Sequence, residues 1–298
     1  MPDAEPADAA SGDPGAAGAE PAPGAAGEPD VYTHGHHDSV LRSHRWRTAE
    51  NSAAYLLGDL RPGLRLADIG CGPGTLTTDL ATRVSPGDVV GIDLDPGVIA
   101  EAAATATAAG IDNVRFVAGD FRTLPEADGG LPAGSFDVVH AHQVLQHLRD
   151  PAGALAAIAA LARRGGVVAA RDADYAAMWW APHEPRLDRW LELYRDVARH
   201  NGAEPDAGRW LPTWAAAAGL DDVRYTTSTW TYSSPADRAW WGSLWADRIV
   251  SSAMATQAVD YGLSTPGELA DLAEGWRAWA ASDHGLFVIP HGELLARV

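Results

Sequence analysis

The stretch "LADIGCGPGT", Leu66 to Thr75, decides the fold. Leu66 to Ile69 is a short apolar run interrupted by one acid, Asp68, and reads as a strand buried on both faces. The following "TLTTDLATRV" has helical spacing. Gly70, Gly72 and Gly74 therefore stand in a strand-to-helix turn. Three residues without Cβ allow positive φ there and let a ligand approach the backbone.

The same alternation continues on either side. Strands are expected at residues 65–70, 88–93, 114–118, 136–140 and 166–171, with helices at 75–84, 96–109 and 151–162. Asp95 is placed to cap the helix that opens at Pro96. Strands alternating with helices imply right-handed βαβ units, hence an α/β, doubly wound, mostly parallel sheet. Upstream, Ser39 to Leu60 carries apolar residues at helical spacing and ends at Pro62-Gly63. Residues 123–134 read as loop. Downstream, the chain reads as helical from Pro185 to about 201 and near 208–218. A strand is expected at 222–231, mostly helix over 235–282, and a strand or hairpin in "HGLFVIPHGELLARV".

Two ligand classes compete for the glycine turn. A dinucleotide fold spaces its glycines G-x-G-x-x-G and sets a pyrophosphate on the helix N-terminus. Here the spacing is G-x-G-x-G, and Thr75 occupies the third dinucleotide position. Asp68, two residues ahead of the turn, suits a cationic ligand better than a pyrophosphate, and favours one with an amine and a positive sulfur. Asp93 ends the second strand, where a carboxylate can accept both hydroxyls of a ribose; a nicotinamide enzyme would place an acid there too. Asp120, after the third strand, can accept from an adenine amine while Phe121 packs on the ring. "FDVVHAHQVLQHL" reads as a buried strand that stops at His140 and opens a polar turn.

With "LADIGCGPGT", "GIDLDP", "GDF", "FDVVHAHQVLQHLRDP" and "GGVVAARD" in this order, the chain resembles the class I S-adenosylmethionine-dependent methyltransferases. The likeness is to the small-molecule group related to ubiquinone/menaquinone-biosynthesis C-methyltransferases. It spans residues 64–172, the cofactor-binding core, and "LFVIPHGELLARV" is similar to the family's last strand. The resemblance implies a seven-stranded sheet in the order 3-2-1-4-5-7-6, with strand 7 antiparallel. It implies S-adenosyl-L-methionine as cofactor. Gly70, Gly72 and Gly74 would line its methionine part and Asp68 would help hold its amino group. Asp93 and the adjoining Leu94 would take the ribose, and Asp120 and Phe121 the adenine. His140 and Gln143 would sit beside the methionine moiety.

Composition bounds what remains. The chain has 298 residues and a formal charge of −18, from 22 basic and 40 acidic residues. All the basic residues are Arg; with no Lys, Schiff-base chemistry and a P-loop lysine are excluded. The acidity argues against a nucleic-acid partner. One cysteine, Cys71, excludes an intrachain disulfide and a Cys-rich zinc site, fits a reducing cytoplasm, and reads as a space-filler in the turn. No run approaches the ~18 apolar residues of a membrane span, and the N-terminus lacks a charged-then-apolar signal pattern. Residues 1–30 are Ala, Pro, Gly and acid, a composition that reads as a disordered tail ahead of a domain over 31–298.

A methyl on a sulfonium is already activated, so transfer needs positioning and, for a phenol or alcohol, a base. Histidine suits that role. His34, His36, His140 and His147 are the candidates, and His147 equally reads as a packing residue of its helix. His34, His36 and His37 are too tightly spaced to converge on a metal, so none is expected. The N-terminal segment is expected to fold over the cofactor, which makes Tyr32 and Arg47 candidates for the acceptor pocket. The Trp-rich elements over 174–201 and 235–282 are expected to form a substrate lobe. Trp179, Trp180, Trp241 and Trp245 are its pocket candidates, against the simpler reading that they glue helices onto the sheet. The expected activity is O-, N- or C-methylation of a small aromatic or apolar acceptor. The alternatives are a cofactor-binding protein without methyl transfer, S-adenosylmethionine-dependent non-methyl chemistry such as a cyclisation, and a nicotinamide oxidoreductase.

Overall fold

The computed structural model describes residues 29–35, 37–124 and 131–298. Most of the expected tail, part of the 123–134 loop, and His36 lie outside the described residues. Ten helices among the described residues surround one sheet. They are α1 (Asp38–Arg45), α2 (Ala49–Ser52), α3 (Thr75–Val84), α4 (Pro96–Ala109), α5 (Pro151–Leu161), α6 (Pro185–His200), α7 (Leu211–Ala217), α8 (Pro235–Ser251), α9 (Ala253–Asp260) and α10 (Pro266–Ala280). The strands are β1 (Leu66–Ile69), β2 (Val89–Asp93), β3 (Val114–Ala118), β4 (Phe136–His142), β5 (Ala162–Ala173), β6 (Trp179–Ala181), β7 (Asp222–Tyr232) and β8 (Leu286–Arg297).

Five helices begin the same way, and the sequence shows why. Asp95, Asp150, Glu184, Ser234 and Thr265 each precede a proline, and each side chain accepts a hydrogen bond from a first-turn amide. The cap satisfies an orphan donor, and the proline presets φ where no N–H is needed.

The sheet runs β3-β2-β1-β4-β5-β8, with β7 on the other side of β8. The first five strands are parallel; β8 is antiparallel to both β5 and β7. This is the expected order with one addition. The sheet has eight strands rather than seven, because Trp179 to Ala181 pairs with Leu286 to Val288 and prolongs the β5 edge. A three-residue strand carries no periodicity by which its sequence could announce it.

Two other expectations change. Ser39 to Leu60 is not one helix: Thr48 starts a second one, its hydroxyl bonding the Asn51 amide while Asn51 bonds back, and a 3-10 turn follows over Ala54–Asp59. The break is anchored by Trp46, whose ring meets Trp230 at 5.3 Å. β4 runs to His142, two residues past its expected end, so the polar turn opens at Gln143.

Order 3-2-1-4-5 reverses direction between β1 and β4, and the crevice beyond the carboxyl ends of those strands is where such sheets bind ligands. One apolar core lies on each face of the sheet. A third, built on Trp190, Trp241, Trp245, Trp276 and Trp279, joins α6, α8 and α10 into a lobe. No helix among the described residues is long and apolar enough to cross a membrane.

Candidate active site

At the end of β1, Gly70, Gly72 and Gly74 all have positive φ, +66°, +56° and +78°. At Gly70 the need is also steric, since a Cβ would lie 2.5 Å from a Val144 methyl. Cys71 is buried between them. Burial, with help from Asp68, pushes its thiol well above the usual range, so it is no nucleophile at neutral pH.

Asp93, ending β2, braces this loop. Its Oδ2 accepts from the Gly72 amide at 3.0 Å and its Oδ1 from the Asp95 amide at 3.2 Å. Asp120, after β3, accepts from the Arg122 guanidinium at 2.7 to 3.1 Å and from the Arg122 amide. Partial burial opposes its charge, but these bonds outweigh it and hold the carboxyl below the ordinary range. Arg122 also pairs with Asp30 at 2.8 Å.

A cleft lies over these strand ends. Gly70, Gly72, Asp93, Leu94, Asp120 and Phe121 line it, together with Gln143. Gln143 is the one non-glycine among the described residues with positive φ, +55°. Its Oε1 accepts from Arg47 and its Nε2 meets His291 Nε2 at 3.0 Å.

Asp68 and His140 are placed differently. They are partners in the β1–β4 register, and His140 Nδ1 lies 2.7 Å from Asp68 Oδ1 while Thr77 donates to Oδ2 at 2.5 Å. Both Asp68 oxygens thus have partners. Asp68 borders only a small hollow under the glycine turn. His140 is fully buried and lines neither that hollow nor the cleft. Its place is taken by His142. Residues two apart share a strand face, and the longer β4 carries that face to the cleft. Neither His142 nitrogen has a hydrogen-bond partner although both are buried.

A second, aromatic chamber adjoins the cleft. Tyr32, His44, Arg47, Gln143 and His147 line both, so the two spaces meet there. Trp241 and Trp245 form chamber wall with Tyr175, Trp230 and Arg248. Trp179 and Trp180 line neither space: Trp179 is half exposed on β6, and Trp180 stacks on Phe287 at 5.6 Å. His34 lines the chamber, its Nε2 lying 3.0 Å from the Tyr194 hydroxyl.

Burial lowers the pKa of the histidines that line the chamber. Burial, with Arg248 nearby, drives His34 well below its usual pKa; burial and then Arg47 do the same for His44. Burial and Arg47 bring His147 down to about 3. Burial lowers Arg47 itself to about 10. No group of three or more potential metal ligands occurs among the described residues.

His142, His44, Asp30 and Arg248 were not legible as site residues. His142 was hidden by the placement of the strand end, and Arg248 lies in a helix whose tryptophans, rather than its arginine, carried the expectation of a pocket. His44 and Asp30 reach the cleft from segments outside the sheet.

Comparison with known proteins agrees with this architecture. The methyltransferase-domain family model matches residues 60–219. An uncharacterized methyltransferase of Schizosaccharomyces pombe is 29% identical over 273 residues, covering 89% of this chain and 95% of its own length. The YcgJ protein of Bacillus subtilis shares the fold with a TM-score of 0.53 at 18% identity, covering 83% of this chain and 98% of that one. So does phosphoethanolamine N-methyltransferase 2 of Haemonchus contortus, with a TM-score of 0.55 at 17% identity, covering 88% and 57%. The chain belongs to the methyltransferase-domain family, and it is an S-adenosylmethionine-dependent enzyme.

Proposed function

We propose that the protein transfers a methyl group to a small aromatic or apolar acceptor held in the chamber beside the cleft. The observation that supports this most is the junction of the two spaces at Tyr32, His44, Arg47, Gln143 and His147. A donor lying in the cleft would have its methionine end at that junction, facing an aromatic-walled space.

The residues fit the donor. The glycine turn offers a surface without Cβ, and a methyl at Gly70 would meet Val144. The buried, unpartnered nitrogens of His142 and the Nε of Arg47 await a polar ligand. Asp93 is placed for the ribose hydroxyls, and Asp120 and Phe121 for the adenine. Arg47 is the cation for the methionine carboxylate, a role different from the acceptor contact expected for it. Asp68 acts from beneath, holding His140 and Thr77 and so the shape of the loop. The cofactor supplies an electrophilic methyl on a positively charged sulfur.

The rest is positioning. The chamber walls exclude water and hold the acceptor in line, an arrangement that supplies ~7–11 kcal/mol of the barrier in the best cases. His34 and His147 accept hydrogen bonds but do not hold a proton at neutral pH, because burial makes them weak bases. Reaction therefore rests on acceptors that are nucleophilic without a strong base. The test is a panel of phenols, aromatic acids, aromatic amines and matched aliphatic compounds, with S-adenosylhomocysteine read by mass spectrometry. Turnover confined to aromatic or apolar members is expected. Turnover confined to polar aliphatic members, or binding of the cofactor without turnover of any member, would refute the proposal.

A further inference from the structure

Arg248 stands within α8 and does not line the cleft. It is 4% exposed, yet it lines the chamber. Its Nη2 donates to the Ser39 carbonyl at 2.9 Å and the Ser43 hydroxyl at 2.8 Å. Its Nε is buried without a partner, and its guanidinium lies 4.6 Å from the centre of the Trp245 ring. Arg171 makes the contrast. It is equally buried, but Glu293 lies 3.3 Å away to balance its charge. Arg248 has no carboxylate partner among the described residues.

The chamber repeats this imbalance. The chain carries 40 acidic residues against 22 basic ones. Yet the described lining contains Arg47 and Arg248 and no Asp or Glu. Burial depresses the pKa of Arg248, and the groups that act to raise it are the tyrosines 175, 32, 194 and 232. A buried, unbalanced cation is costly unless something of opposite charge comes to it.

We propose that the acceptor carries a carboxylate and that Arg248 is its anchor. This rests on the reading of the chamber as the acceptor site. A carboxylate suits the free Nε of the guanidinium and forms a charge-assisted hydrogen bond there. One guanidinium balances a monoanion, whereas a phosphate dianion would leave excess charge in a chamber walled by Trp241, Trp245 and Tyr175. The same walls take the face of an aromatic ring. In a chain this acidic, the chamber then selects aromatic acids over neutral molecules of the same shape.

The test uses the full chain saturated with S-adenosylhomocysteine, which occupies Arg47, and two probes of matched shape, 4-hydroxybenzoate and 4-hydroxybenzamide. Calorimetry should show the acid binding at least about tenfold tighter than the amide. Arg248→Gln should bring the two within about twofold, with the affinity for S-adenosylhomocysteine unchanged. Arg248→Lys keeps a cation; it should retain a reduced preference, and it decides the matter if Arg248→Gln does not fold. Equal binding of the two probes, a preference that survives in Arg248→Gln, or no binding of either probe to the loaded protein would overturn the anchor and leave the cofactor reading intact. Failure of S-adenosylhomocysteine to bind the wild type would overturn the cofactor reading, and the anchor with it.

Discussion

Asp93→Ala tests the cleft at two levels, because one carboxylate braces the glycine loop and, on the proposed reading, also receives the donor. It accepts from the amides of Gly72 and Asp95 at 3.0 and 3.2 Å. The group is half-buried, so each bond contributes less than the ~1.5–3 kcal/mol usual for a charged partner, about 1 kcal/mol. Their loss should lower unfolding free energy by about 2 kcal/mol, read by urea unfolding without ligand. The donor loses a charged acceptor for its ribose hydroxyls, ~1.5–3 kcal/mol for one bond, so its affinity should fall roughly 10- to 150-fold. Calorimetric titration with S-adenosylmethionine reads this directly. Asp93→Asn keeps one acceptor oxygen and should fall between wild type and Asp93→Ala in both measurements. Affinity within twofold of wild type in Asp93→Ala would refute the placement of the ribose. A stability loss without an affinity loss would leave Asp93 a loop brace only.

Gly70→Ala should cost about 2–4 kcal/mol of stability in urea unfolding, about 1 for positive φ and the rest for overlap with Val144; a change below 1 kcal/mol would show that the turn relaxes freely. Arg47→Met should weaken S-adenosylmethionine at least tenfold. It should also remove the wild type's preference for that molecule over its decarboxylated analogue, and an unaltered preference would place the carboxylate elsewhere. His34, His44, His142, His147 and His291 all have pKa values lowered chiefly by burial. They bind protons more readily unfolded than folded, so stability should fall as pH drops below about 6.5. His142→Asn should shallow that slope in urea titrations from pH 7 to pH 5; an unchanged slope would mean that His142 is charged in the fold.

Much of the frame was legible because it depends on local rules. The glycines of the β1 turn, Asp93 at the end of β2, Asp120 just after β3, and the Asp95-Pro96 helix start are each set by near neighbours along the chain. Backbone freedom and capping bonds need no distant partner, so the α/β alternation and the glycine turn at the end of β1 could be read in order from the residues. What they could not carry was which of two like residues faces the cleft. His140 and His142 are equal in the sequence. Only the length of β4 and its register with β1 direct the first onto Asp68 and the second into the open space. Trp180 and Trp245 are likewise both members of aromatic clusters, and their separation into edge packing and chamber wall follows from β6 pairing with β8 and from the packing of α8. The charge of the chamber is the furthest from sequence. Arg248 acquires its unbalanced state only when α8 packs against α1 and no described acid follows it inside, because pairing between groups 205 positions apart is decided by tertiary packing and not by any local pattern.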